Sequence, residues 1–132
     1  MKKKIWKLGI QWGTGQKPFL PFIEKKKIVL SDTKRNQYYS IGDLVLICKG
    51  FTVLGIAEVR SKLQPITQNK DFEVDCNNYN IHYEDWVYYA AAKYYLFQEK
   101  DQFQYKLRKG TAKVRQENIK KRAKELYEKY SN

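Results

Sequence analysis

Two apolar runs joined by a short glycine-bearing turn constrain this chain more than any other feature. Leu44-Val45-Leu46-Ile47-Cys48 is continuous, and residues 51–59 form a second run containing Val53, Leu54, Ile56 and Ala57. Lys49-Gly50 lies between them. A strand that is apolar at every position is buried on both faces, so this pair is expected to be a β-hairpin at the centre of a sheet. Gly55 inside the second run predicts a bulge or a close backbone approach.

The flanking segments fit around such a centre. Trp6, Leu8, Ile10 and Trp12 alternate with Lys7, Gly9 and Gln11, a period of two that predicts a strand with one buried face over residues 4–12. Trp6 is expected in the core. Gly13-Thr14-Gly15-Gln16-Lys17 lacks the full phosphate-loop pattern and reads as a tight turn. Residues 18–23 have room for one helical turn, since Pro is tolerated there. A short strand follows at Ile28-Val29-Leu30, then a loop over residues 31–40. Residues 61–80 are polar and read as a long connection or arm. Residues 86–97 are expected to be a strand, with residues 103–107 as its partner. From residue 116 the period changes. Ile119, Ala123, Leu126 and Tyr130 share one helical stripe, Lys120, Lys121, Lys124 and Lys129 are placed opposite, and Glu117–Lys121 and Glu125–Lys129 are spaced as i,i+4 pairs. The expectation is one α+β domain over residues 1–132, with a basic C-terminal helix at about 116–130.

Charge narrows the partners. The net charge is +12 and it is uneven. Residues 1–27 carry +7, residues 28–99 carry −2 and residues 100–132 carry +7. Two basic ends on a near-neutral middle fit a polyanion, because Lys and Arg displace counterions from a phosphate backbone. With 15% aromatic residues the chain is not of the disordered class. Cys48 and Cys76 make no disulfide framework, which fits a reducing, cytoplasmic compartment. Neither a signal peptide nor a membrane span is evident.

The motif around the hairpin, Gly42-Asp43-Leu44-Val45-Leu46, then Gly50-Phe51, then Gly55-Ile56-Ala57-Glu58-Val59, resembles the core of PUA-like domains, the superfamily that includes EVE, YTH and ASCH domains. The resemblance covers residues 5–107. It implies a small, bent, β-barrel-like mixed sheet with rim helices. It also implies binding of nucleic acid, DNA or RNA, with a flipped or modified base held in an aromatic pocket. Related domains place a tryptophan before the Arg35-Asn36 stretch, where this chain has Leu30-Ser31-Asp32. The pocket rings then fall to Trp12, Trp86 and Tyr38, with Ser31, Asp32 and Asn36 for hydrogen bonds to the base edge. Lys17, Arg35, Lys113, Arg115, Lys120 and Lys124 are the phosphate-binding candidates.

Other chemistries are weaker. His82 is the only histidine and has no Cys or His cluster beside it, so no zinc site is expected. Asp71, Glu73 and Asp75 read as a solvated acidic edge rather than a cation site. Asp43 with Glu58-Val59-Arg60 loosely resembles a metal-dependent nuclease motif, but Arg is a poor substitute where a neutral amine is needed. No cofactor is expected. A different reading of the same basic surface is a protein-interaction or regulatory module of a defence or toxin system, meeting an acidic partner.

Overall fold

The structure is a computed structural model that describes residues 4–10, 20–31, 39–78, 88–106 and 111–132. Its centre is the expected hairpin, β3 (Leu44–Lys49) with β4 (Thr52–Val59), antiparallel and joined through Gly50 at φ +59°. The register shifts between Ile47, opposite Gly55, and Cys48, opposite Val53, so Leu54 is the extra residue of a bulge. A Cβ added at Gly55 would lie 2.7 Å from the Tyr95 carbonyl oxygen. Both expectations for this glycine hold.

β1 (Ile5–Gly9) lies parallel to β3. Parallel neighbours need a crossover. Here it contains α1 (Leu20–Lys26) and β2 (Ile28–Ser31), whose partner is the long strand β6 (Tyr88–Leu96). β6 also pairs with β4 through Ala92–Leu96 and with β5 (Gln64–Pro65). β8 (Thr111–Lys113), a strand with no counterpart in the sequence reading, pairs with β1 and ends the sheet. The path is β2-β6-β4-β3-β1-β8, and the eight strands curl into a half-barrel in an α+β fold with three helices among the described residues.

Alternation along the strands makes two cores. Trp6, Leu8, Ile10, Val45, Ile47, Ala57 and Val59 fill the inner face, none more than 2% exposed. Ile5, Leu44, Leu46, Cys48 and Ile56 form the outer face. Against it packs α3 (Glu117–Ser131) through Ile119, Ala123 and Leu126. Burying Ile119 and Leu126 is worth roughly 3–6 kcal/mol before entropy is counted.

Three expectations need correction. The long connection or arm expected over residues 61–80 is largely ordered: residues 61–78 hold β5, a 3-10 turn at Ile66–Gln68 and α2 (Lys70–Asn78). Asn69 caps α2, its Oδ1 accepting the Phe72 N–H at 3.1 Å, and Phe72 and Cys76, one turn apart, enter the inner core. Next, β7 (Phe103–Gln104) pairs with β4 rather than β6. β6 runs out at the Gly55 bulge, and the chain returns along the same edge of β4 after a 3-10 turn at Glu99–Asp101. Finally, the i,i+4 pairs of α3 do not form. Glu117 meets Lys120 at 3.4 Å, and Lys129 lies on the flank of the helix, 2.9 Å from Asp101.

Asp101 latches α3 to the sheet. It accepts hydrogen bonds from Tyr130 Oη and Lys129 Nζ, with Arg122 at 4.0 Å. The Tyr130 bond first and the Lys129 bond second hold its carboxyl below the usual carboxylate range. The folded value is the lower one, so the contribution is complete above the unfolded value near 4 and is lost as pH falls through the folded value. Thermal melts of Asp101→Asn should therefore lie below wild type at pH 7, and the two curves should converge as pH drops below about 4. A gap independent of pH would contradict this role.

Candidate nucleic-acid interface

Asp43 organises the end of the sheet where β1 begins. One carboxylate oxygen accepts the Trp6 indole N–H at 2.9 Å and the Ser40 N–H at 2.9 Å, and the other accepts the Lys4 N–H at 3.1 Å. Tyr39 sets its ring edge-on to Trp6, centroids 5.5 Å apart, and donates its hydroxyl to the Leu30 carbonyl at 2.8 Å. This cluster ties β1, β2 and the 39–43 turn together. Asp43 closes the turn that leads into the core strand.

Beside this anchor the β1–β8 edge gathers positive charge. Trp6 is directly opposite Lys113. Val114 donates its N–H to the Ile5 carbonyl at 2.8 Å, so the same register sets Arg115 opposite Lys4. Opposed residues of an antiparallel pair point to one face. Lys4 shares that face with Trp6, its Nζ 5.9 Å from the ring centroid. Lys4, Lys113 and Arg115 are all exposed. Among the described residues none of the three forms an ion pair, and the polar contact of Lys4 Nζ is the Ser40 hydroxyl at 3.4 Å. Like charges directly opposite one another on neighbouring strands cost stability. The nearby Asp43 carboxylate is already engaged by Trp6 and two backbone N–H groups.

The other candidates are distributed differently. Trp12, Lys17, Asp32, Arg35, Asn36, Tyr38, His82 and Trp86 lie outside the described residues. Ser31 is fully buried at the end of β2, opposite Tyr88. Lys120 and Lys124 sit on α3, Lys120 half-buried beside Glu117 and Lys124 exposed. The outward face of α3 interleaves Lys121 and Lys124 with Glu117, Glu125 and Glu128, so it carries mixed charge rather than a basic stripe. Lys4 escaped the sequence reading, although the period of two had already put it on the Trp6 face.

Among the described residues the hollow of the half-barrel is lined by packed core side chains such as Trp6, Leu8, Val45, Ile47 and Ala57. Asp43 faces inward to Trp6, whereas Glu58 faces outward, accepting Tyr127 Oη at 2.7 Å and pairing with Arg60 at 2.7 Å. The two carboxylates of the nuclease-like motif therefore lie on opposite faces of the sheet. No group of three metal-binding side chains occurs among the described residues. Asp75 instead pairs with Lys26 across a cleft of about 470 Å³ between α1 and α2, lined also by Pro21, Phe22, Lys25 and Asn78. Burial pushes both thiols, Cys48 and Cys76, up to about 12, so neither is a thiolate at neutral pH. No helix among the described residues is long and apolar enough to cross a membrane. No protein-family model matches the chain, and no curated protein matches it.

Proposed function

We propose that this chain is a PUA-like module that binds nucleic acid through the β1–β8 edge. One observation carries the reading: Lys4, Lys113 and Arg115 stand exposed on one face, without acidic ion-pair partners among the described residues, beside the Asp43–Trp6 anchor. Such an arrangement suits an external polyanion. The curled mixed sheet is compatible with the superfamily whose hairpin motif the sequence resembles. On the superfamily resemblance, base reading falls to Trp12, Tyr38 and Trp86.

Binding to fluorescent oligonucleotides across a salt series tests this. Affinity is expected to fall with salt, log K against log salt having a slope of about −2 or steeper for three or more phosphate contacts. Lys120→Gln/Lys124→Gln is expected to weaken binding less than Lys113→Gln/Arg115→Gln. Retention of an acidic polypeptide but not of oligonucleotides would replace the reading with a protein-interaction module.

A further inference from the structure

From the β1–β8 edge we infer that the ligand is a single nucleic-acid strand lying along β8, with neighbouring phosphates at Lys113 and at the Lys4–Arg115 pair. This rests on the nucleic-acid reading above and narrows it.

The geometry of the edge supports a strand rather than a duplex. Lys113 and Arg115 are two residues apart on extended chain, so they project to the same side about 6.5–7 Å from one another. That interval is close to the step between successive phosphates of one backbone. Lys4, opposite Arg115, doubles the charge at one of the two positions. Among the described residues β8 ends the sheet, and the Val114 N–H is turned toward β1, so the Lys113 N–H points away from β1. A backbone N–H beside a cation is the donor set that phosphate oxygens accept.

A duplex reader needs something else, a helix or ribbon to enter a groove, or a broad basic face. The longest helix among the described residues, α3, buries its apolar stripe on the sheet and presents mixed charge outward. The cations Lys113 and Arg115 follow one extended segment, with Lys4 beside them just before β1. The Lys4–Arg115 opposition, which has no ion pair among the described residues, is also what a bound phosphate would relieve.

The test uses the full chain with a 12-nucleotide single-stranded DNA, the same sequence as RNA, and a 12-base-pair duplex, read by fluorescence anisotropy. Both single strands should bind at least tenfold more tightly than the duplex at 0.1 M salt. Each phosphate contact contributes about 0.7 to the salt slope of a single strand, so Lys113→Gln/Arg115→Gln should flatten that slope by about 1.4 and weaken binding at 0.1 M salt by about 25-fold. Arg115→Gln alone should leave the melting temperature unchanged or raised, because it removes a like-charge neighbour of Lys4. A melt of Lys113→Gln/Arg115→Gln shows the double variant to be folded. Duplex binding as tight as single-strand binding, or an unaltered slope in the folded double variant, overturns the inference and leaves the broader reading standing. No binding of any of the three by wild type at 0.05 M salt overturns both.

Discussion

Asp43→Ala is expected to lower stability by about 3–5 kcal/mol, because it removes a buried carboxylate that several donors share. The carboxylate satisfies three donors, one of them the indole N–H of a tryptophan only 2% exposed. Alanine leaves that N–H buried without an acceptor, which costs about 1–3 kcal/mol by itself, and releases two backbone N–H groups as well. It also frees the Ser40–Asp43 turn from β1. The melting temperature should fall by roughly 10 °C or more for a chain of this size. Asp43→Asn keeps the shape and one carbonyl acceptor, so it should recover part of the loss. Urea titration of the three proteins checks this: the midpoint should shift with little change in the slope. A loss below about 1 kcal/mol for Asp43→Ala would mean that the anchor does not hold the edge in place.

Gly55→Val should destabilise by about 2–3 kcal/mol through a different route. The new Cβ would fall 2.7 Å from the Tyr95 carbonyl oxygen and 2.9 Å from Leu96 Cα, both main-chain atoms. No side-chain rotation relieves such a contact, so β4 and β6 must separate at the bulge. Amide exchange should then accelerate at Tyr95 and Phe97, whose strand lies along this stretch, while the β1–β3 pairing stays protected. Gly55→Ala brings the same Cβ with less bulk beyond it and should cost less. Unchanged protection around Tyr95 in Gly55→Val would contradict the close approach.

The hairpin was legible as two continuous apolar runs, and the first strand and the C-terminal helix because each is periodic. Leu44 to Cys48 is apolar throughout since α3 covers one face and the inner core the other. Ile119, Ala123 and Leu126 gave α3 its apolar stripe. What escaped notice is short or locally polar. β8 is three residues long and acquires its meaning only by pairing with β1. α2 hides Phe72 and Cys76 among charged neighbours, and its start at Asn69 is visible only as a capping contact. The return of β7 to β4 depends on a bulge on the opposite side of the hairpin, which residues 86–107 do not encode by themselves. The candidate site was half legible. Lys113 and Arg115 stood out by charge, but Lys4 joins them through strand register, which charge counting does not see.

Backbone amide shifts of the protein, followed as a short single-stranded oligonucleotide is added at low salt, address the β1–β8 edge most directly. Signals of Lys4, Ala112, Lys113 and Arg115 should move together, and far more than those of residues 119–130. Movement confined to α3 or to the α1–α2 cleft, with the edge signals still, would place the contact surface elsewhere.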